Sequence, residues 1–288
     1  MTTHTIEIPV LYGSQTGNSE AAAKELSTLL PTKLKLPPSE SSSNITITSR
    51  HMHLDDFLEI EKAPWTKLVL IVTSSYGVGQ APIGSYRFRD FCDSLLGNET
   101  FRAPSSPSGS TPTQNLLTGV RYALLGLGDS KYSTYFRNPT VLDDALTQAG
   151  ATRVGPLGKA DASGTGEDVQ ALVIERWIDG IWTVLQEALL DIWNETRQDV
   201  ATAREDQEDW FVPSQAREGT NKICQEIFDD WDGKDVSVTK SNGFGSSFSI
   251  FVALLVFCVF GCFNQCLPAS KVNQGQTALA PYPIKQAK

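Results

Sequence analysis

The chain is poor in the residues from which most enzyme sites are built. Its 288 residues include three histidines and five cysteines. The histidines are too few and too scattered for a site, and we expect His51 and His53 to lie on a loop. The cysteines show neither metal nor disulfide spacing, so Cys92 and Cys224 are expected to be free thiols. We therefore expect no catalytic residue and no metal ligand.

Basic residues are also missing from the start of the chain. No Lys or Arg lies between Met1 and Ser19. The loop in this region lacks the Gly-Lys-Ser/Thr ending of a Walker motif, and it is not a G-x-G-x-x-G dinucleotide turn. We also expect no signal peptide, because the apolar run 6–11 is short and has no basic segment before it.

A different type of phosphate loop is present at residues 12–19. The loop follows the β-type run Ile6–Leu11 and precedes a helix-forming stretch, Glu20–Leu30. This order points the free N–H groups of a helix N-terminus into a turn rich in hydroxyls and glycine. Backbone amides, the hydroxyls of residues 14, 16 and 19, and the helix dipole could hold a phosphate there. An ordinary strand–helix connection with a Ser or Asn cap is the alternative.

Two further loops follow predicted central strands. Leu68–Thr73 is uncharged and leads into Ser74–Gly79, and Tyr122–Leu125 leads into Gly126–Tyr132. Open α/β sheets bind ligands at the carboxyl ends of their strands. Each loop offers an aromatic ring beside glycines, so two rings could enclose a flat heterocycle.

The three loops, in this order and spacing, resemble the FMN-binding domain of the flavodoxin-like family. The resemblance is closest to the amino-terminal domain of diflavin reductases of the methionine synthase reductase and NADPH–cytochrome reductase types. A fourth match is Gly158–Asp161 followed by Trp177 and Trp182. The resemblance covers roughly residues 5–190, and it implies FMN as the cofactor.

The resemblance also implies which residues bind FMN. Residues 14–19 would hold the ribityl phosphate, and Tyr76 and Tyr132 would flank the ring. The backbone of residues 74–77 and 127–129 would touch its polar edge, with Asp161 as a nearby acid. The full predicted set is Ser14, Gln15, Thr16, Gly17, Asn18, Ser19, Ser74, Ser75, Tyr76, Gly77, Gly79, Leu127, Gly128, Asp129, Tyr132, Tyr135 and Asp161.

Structural roles are the alternatives for several of these residues. Tyr132 and Tyr135 could be partly buried loop anchors, and Asp161 could cap the final helix. Trp177 and Trp182 are expected to be core residues of that helix.

The sequence departs from the family pattern after Gly79. The family usually shows an acid, then Pro and another acid, whereas this chain has Gln80-Ala81-Pro82-Ile83. The missing carboxylates leave phosphate binding unchanged but affect contacts at the ring edge and partner docking.

Apolar runs that alternate with helical patterns predict a doubly wound α/β sheet of five parallel strands over residues 5–196. The strand order 2-1-3-4-5 is implied by the resemblance. The predicted strands are Ile6–Leu11, Ile45–Thr48, Leu68–Thr73, Tyr122–Leu125 and Arg153–Leu157. The first predicted helix ends at Leu30. The others span Leu54–Glu61, Tyr86–Leu96, Val141–Ala149 and Glu167 to about Thr196. Leu36–Asn44 and Arg102–Gln114 are predicted loops.

Residues 197–243 are predicted to form an acidic, partly disordered linker. From Arg197 to Lys240, eleven acids face six basic residues, a net charge of −5 out of −9 for the chain. Ile223, Ile227 and Trp231 share one helical face, which could dock on the flavin domain or on a partner.

Residues 244–267 are predicted to form a transmembrane helix, followed by a short polar tail at 268–288. Thirty consecutive residues between Lys240 and Lys271 carry no charge, and a helix of about 20 apolar residues crosses a bilayer. A helix buried in a soluble core is the alternative. This layout predicts a tail-anchored protein with its amino-terminal domain in the cytosol, and the short span suits the endoplasmic reticulum.

The leading hypothesis is a membrane-tethered FMN electron carrier. It would be an oxidoreductase component that exchanges electrons with a separate FAD/NAD(P)H reductase and a redox acceptor, since the diflavin FAD/NADPH module is not found in these residues. The acidic linker, together with acidic rims near the flavin, would steer basic partners. We expect no nucleic-acid partner. A self-sufficient flavodoxin-like NAD(P)H:quinone reductase, a flavin-free membrane adaptor and a truncated gene product are the alternatives.

Overall fold

In a computed structural model, the chain forms a parallel β-sheet with helices on both faces. The strands are β1 (Thr3–Gly13), β2 (Asn44–His53), β3 (Leu68–Ser74), β4 (Arg121–Gly128), β5 (Thr152–Arg153) and β6 (Gly158–Asp161). The helices are α1 (Asn18–Lys33), α2 (Leu54–Glu59), α3 (Tyr86–Leu95), α4 (Arg137–Gln148) and α5 (Gln170–Val200), with a short 3-10 turn at Gly166–Asp168. The structure describes residues 3–37, 44–59, 65–97, 115–200, 211, 213, 220 and 223–225.

The predicted strand order is confirmed. The order is β2-β1-β3-β4-β5, and each described pairing is parallel. The predicted number of strands is wrong, because a sixth strand, β6, also pairs with β4. Of the predicted strand Arg153–Leu157, only Arg153 lies in a strand, β5, and residues 154–157 connect β5 to β6. Gly155 has φ +73 between them, and Pro156 has no N–H to donate to a sheet ladder.

The prediction that His51 and His53 lie on a loop is wrong. His51 and His53 lie in β2, which is longer than predicted because its pairing with β1 continues to Tyr12 and His53. The Tyr12 and His53 rings have centroids 4.4 Å apart. Pairing with a neighbouring strand extends β2 beyond what its own residues favour.

The core consists of two hydrophobic clusters, one on each face of the sheet. Side chains alternate along a strand, so neighbouring residues serve opposite faces. In β3, Leu70 belongs to the cluster under α1 and α5, whereas Ile71 belongs to the cluster under α2, α3 and α4. Trp177 and Trp182 are buried in the first cluster, which confirms their predicted core role.

Part of the predicted linker packs on this domain. Phe211 is buried in the cluster under α5, and its carbonyl accepts a hydrogen bond of 2.8 Å from Lys67 N, just before β3. Ile223 and Cys224 are buried in the cluster on the opposite face. Phe211 and Ile223 therefore pack on opposite faces of the sheet. We call Phe211, Ile223 and Cys224 together the C-terminal strap.

The remaining predictions for the C-terminal region lie outside the described residues. These include Ile227, Trp231, the proposed membrane helix 244–267 and the tail 268–288. Among the helices of the described ranges, none combines the length and apolarity that a membrane crossing requires. Cys92 and Cys224 are free thiols, as predicted, and both are buried. Burial raises the pKa of the Cys224 thiol to about 12.

Candidate functional site

The predicted phosphate loop forms an open helix N-terminus. The Ser14 hydroxyl accepts a hydrogen bond of 3.0 Å from Gly17 N and so closes the turn. Gly17, at φ +92, precedes the first turn of α1 and offers no side chain to cap it. The first N–H groups of a helix have no partner within the helix, and its dipole places partial positive charge there. The loop can therefore hold an anion although it has no basic side chain.

The turn at residues 82–85 contacts the base of this loop. Ser14 N donates to the carbonyl of Ile83 over 3.2 Å. A Cβ added to Gly13 would lie 2.5 Å from the Ser85 hydroxyl oxygen, so glycine is needed for this close approach. The turn at residues 82–85 thus fixes the base of the phosphate loop, a contact that the sequence did not reveal.

The polar side chains of the loop have different environments. Thr16 is exposed, whereas Ser19 is buried. Asn18 donates to the Gln170 amide oxygen over 3.0 Å and so links α1 to α5. The Gln15 Oε1 atom is buried and has no hydrogen-bond partner among the described residues. Buried polar atoms usually have a partner, so an unpaired amide oxygen in the loop fits a site that receives a ligand with a hydrogen-bond donor.

The second predicted loop is a tight hairpin. Tyr76 and Gln80 exchange backbone hydrogen bonds of 3.0 and 2.8 Å. Gly77 and Gly79 have φ values of +53 and +86, which side-chain-bearing residues rarely adopt. The hairpin presents the Tyr76 ring, which is 49% exposed, at the carboxyl edge of the sheet.

Asn138 holds this hairpin to α4, and sequence reasoning did not identify it. The side chain is completely buried. Its amide donates to the Thr73 hydroxyl and the Ser74 carbonyl over 3.2 and 3.0 Å. Its oxygen accepts from Arg89 Nη1 over 3.1 Å, and its backbone N–H donates to the Ser75 hydroxyl over 2.9 Å.

The third predicted loop begins later than the sequence indicated. Leu127 and Gly128 are the last residues of β4, so the loop proper starts at Asp129. Tyr132 is 60% exposed, which argues against the alternative of a buried anchor for this residue. Tyr135 is partly buried and packs close to Gly128, where a Cβ would lie 2.8 Å from the tyrosine Cδ2.

Asp129 and Asp161 stabilise the third loop by accepting hydrogen bonds. Asp161 Oδ1 accepts the backbone N–H groups of Ser130 and Ser163, each at 2.9 Å. The Ser163 hydroxyl donates to Asp129. Asp161 is therefore bonded to loop backbone, and the alternative that it caps the final helix is wrong.

These hydrogen bonds also lower the pKa values of the Asp129 and Asp161 carboxyl groups. The hydrogen bond from Ser163, followed by that from Lys131 N, holds the pKa of Asp129 below its ordinary value of 3.8. Burial raises the pKa of Asp161, but the hydrogen bonds from Ser130 and Ser163 outweigh it, so this pKa is also lowered. A lowered carboxyl pKa means that the charged form is the one the folded loop stabilises.

We expect the third loop to lose order in acid. Each carboxylate has a lower pKa in the folded loop, so its contribution is complete above pH ~4 and is lost as the pH falls through the lowered value. Proton NMR of the Tyr132 ring between pH 7 and 3 should show a transition below pH ~4. Asp129→Asn should lessen the pH dependence, whereas Asp191→Asn, on the exposed face of α5, should not. A transition centred well above pH 4 would contradict the assignment.

The structure brings the predicted loops together at one edge. Ser75 N donates to the Leu127 carbonyl over 3.0 Å, which joins the second loop to the end of β4. The bond from Ser14 to Ile83 joins the first loop to the turn after the second. The site therefore combines a phosphate-type loop with two exposed tyrosines, as an FMN site requires; the individual contacts with the cofactor remain predictions.

Comparison with known proteins agrees with this geometry. The family model described as flavodoxin matches residues 10–175. The chain is 32% identical over 179 residues to the bifunctional cytochrome P450/NADPH–P450 reductase of Bacillus cereus, an alignment that covers 62% of this chain and 13% of the relative. It is 32% identical over 183 residues to the NADPH–cytochrome P450 reductase of Saccharomyces cerevisiae, covering 62% of this chain and 22% of the relative.

A solved structure is also similar to the chain. A cysteine-to-serine variant of the flavodoxin from Pseudomonas aeruginosa is 22% identical, with a TM-score of 0.43, and the match covers 63% of this chain and 99% of that one. The chain spans less than a quarter of the length of the two reductases above.

Proposed function

Since the chain belongs to the flavodoxin family, we propose that its FMN electron-transfer domain passes electrons between a separate NAD(P)H-linked reductase and a redox acceptor protein. The family model matches more than half of the chain, and FMN is the cofactor. The observation that carries the proposal is the meeting of three loops at one edge of the sheet, with Tyr76 and Tyr132 exposed beside an uncapped helix N-terminus.

The residues at this edge fit the two ends of FMN. The N–H groups that open α1, together with the Thr16 hydroxyl, would hold the phosphate. Tyr76 and Tyr132 would flank the ring, with the backbone of residues 74–77 and 127–129 at its polar edge. When bound, FMN supplies one- and two-electron chemistry that side chains cannot perform. The protein's own task is to bind and orient the cofactor and to exclude water from its faces.

The similarity to reductases supports the electron-transfer role. Both reductases described above are named for cytochrome P450 as their electron acceptor. Because the chain covers only a small part of their length, we propose for it the flavin step alone, with the donor and the acceptor supplied by other proteins.

Phosphate recognition provides a direct test of the site. Thr16→Ala should weaken FMN binding by about 2- to 12-fold, because it removes one hydrogen bond at a solvent-exposed position, worth about 0.5–1.5 kcal/mol. Binding of riboflavin, which lacks the phosphate, should change less than 2-fold. Quenching of flavin fluorescence measures both affinities.

The control for this experiment is Thr28→Ala, which changes an exposed threonine in the middle of α1. It should alter neither affinity. An equal loss of FMN and riboflavin binding in the Thr16 variant would contradict the phosphate assignment, and a wild-type protein that binds no FMN would contradict the proposed function.

We also propose that residues 244–267 tether the domain to the endoplasmic reticulum membrane, with the amino-terminal domain in the cytosol. The support is the sequence itself, a run of thirty uncharged residues. Full-length protein should float with phosphatidylcholine vesicles in 0.1 M sodium carbonate, and a variant with Leu254, Leu255 and Val256 changed to Asp should not. Wild-type protein that stays at the bottom of the gradient would contradict the tether.

A further inference from the structure

The large apolar side chains that are exposed in the described residues all lie at one edge of the molecule. They come from the loops and helix starts that follow the carboxyl ends of β3, β4 and β6. Two of them, Tyr76 and Tyr132, are accounted for by the proposed FMN site. The set is Tyr76, Val78, Ile83, Tyr86, Tyr132, Val169 and Leu172.

Three members of this set form a surface next to the proposed FMN site. Val78, Ile83 and Tyr86 are 69%, 52% and 45% exposed, and we call them the apolar rim. Val78 lies at the tip of the Tyr76 hairpin. Ile83 belongs to the turn that supports the phosphate loop. A protein that approaches the Tyr76 side of the site must therefore contact the rim.

The backbone of the rim is well fixed. Thr134 donates to the Gly77 carbonyl over 3.3 Å, which ties the hairpin to the third loop. Asp55 accepts the N–H groups of Tyr86 and Phe88 over 3.0 and 2.9 Å, so this carboxylate caps the start of α3. A surface whose backbone is already fixed has less conformational entropy to lose when a partner covers it.

The charges beside the rim are those of two arginines, Arg87 and Arg137, and of the partly buried Asp55 carboxylate at the start of α3. The sequence has no acid from Lys62 to Arg89 and none from Ser130 to Leu142, although the chain as a whole carries −9. Arg87 follows Tyr86 directly. The Arg137 side chain packs against Gly79, where a Cβ would lie 2.7 Å from its Cδ. This part of the edge therefore differs from the acidic rim that the sequence predicted. On the side of the edge formed by the ends of β4 and β6, Asp129 and Asp161 supply negative charge.

We propose that the apolar rim docks a redox protein whose own contact surface is apolar and edged by carboxylates. This inference rests on the proposed function, because electrons must enter and leave at this edge. Carboxylates on the partner would face Arg87 and Arg137, and an apolar centre would cover Val78 and Ile83. A second copy of this chain fits less well, because it would bring arginines against arginines. A lipid bilayer over the rim would close the edge that electrons must cross.

Two cytochromes of opposite charge test this proposal on the full-length, FMN-loaded protein. After photoreduction, the protein is mixed in a stopped-flow instrument with acidic cytochrome b5 or with basic cytochrome c. The double variant Arg87→Glu/Arg137→Glu should lower the second-order rate constant with cytochrome b5 by about 10-fold or more at low salt and raise that with cytochrome c. The differences should shrink in ~0.5 M salt.

The matched control is Lys33→Glu/Lys35→Glu, which makes the same charge change at the end of α1, on the opposite edge. It should change either rate constant less than 2-fold. An unchanged cytochrome b5 rate in the arginine variant, or an equal loss in the control, would overturn the docking site.

Other results separate the docking site from the proposed function. If the protein binds FMN with a 1:1 stoichiometry but reduces neither cytochrome, the proposed function itself is wrong. If phosphatidylserine vesicles abolish electron transfer in the wild type but not in the arginine variant, the rim binds lipid and the inference is overturned.

Discussion

Replacing Asn138 with alanine is expected to destabilise the domain by about 2–4 kcal/mol and to weaken FMN binding with it. The change leaves the Ser74 carbonyl without its donor and removes one acceptor from Arg89, and each buried group left unpaired costs about 1–3 kcal/mol. Because the same side chain fixes the Tyr76 hairpin, its loss should also loosen the site. Urea denaturation of the flavin-free protein measures the stability, and flavin titration measures the binding.

Asn194→Ala is the matched control, since Asn194 lies on the exposed face of α5. It should change the free energy of unfolding by less than about 0.5 kcal/mol. If the Asn138 variant were as stable as the wild type, the buried network would contribute nothing. If it lost stability but kept its full FMN affinity, Asn138 would not position the hairpin.

Replacing Tyr132 with alanine is expected to raise the Kd for FMN by about 5- to 150-fold. Stacking of a flat heterocycle on an aromatic side chain contributes about 1–3 kcal/mol, and each 1.4 kcal/mol is about a factor of ten. Because Tyr132 is 60% exposed, the flavin-free protein should keep its stability. Riboflavin affinity should fall by the same factor, in contrast to the Thr16 variant.

Two variants accompany this measurement. Tyr132→Phe keeps a ring and should restore most of the affinity. Tyr86→Ala removes a comparably exposed tyrosine from the same edge of the sheet, outside the predicted FMN set, and should leave the affinity unchanged. Equal losses in the Tyr86 and Tyr132 variants would contradict the assignment of Tyr132 to the flavin site.

The sequence predicts a strand, loop or helix well where the local pattern of residues determines the structure. Leu68–Thr73 is uncharged because β3 is buried on both faces, and this signal located the strand nearly to its ends. Gly77 and Gly79 marked the second loop, because its backbone requires positive φ at both positions. The helices were placed correctly in the main, although α4 begins at Arg137 and not at Val141. Pro139 lies in the first turn of α4, where proline is tolerated. Its presence therefore does not require the helix to begin after it.

Features set by distant parts of the chain could not be predicted. The length of β2 depends on its register with β1, which brings His53 beside Tyr12. The role of Asn138 depends on four partners, from Thr73 to Arg89, that are 49 to 65 positions away. No local signal distinguishes this asparagine from the others in the chain. The contact of Ser14 with Ile83 is hidden from the sequence for the same reason.

The C-terminal strap sets the smallest fragment that can be studied alone. A recombinant protein that stops at the end of α5 would lack Phe211, Ile223 and Cys224, and would leave apolar hollows open on both faces of the sheet. Such a fragment would tend to aggregate or to unfold at a lower temperature, and a poor flavin yield from it would say little about the cofactor site. A fragment that ends at Val236 keeps all three residues of the C-terminal strap.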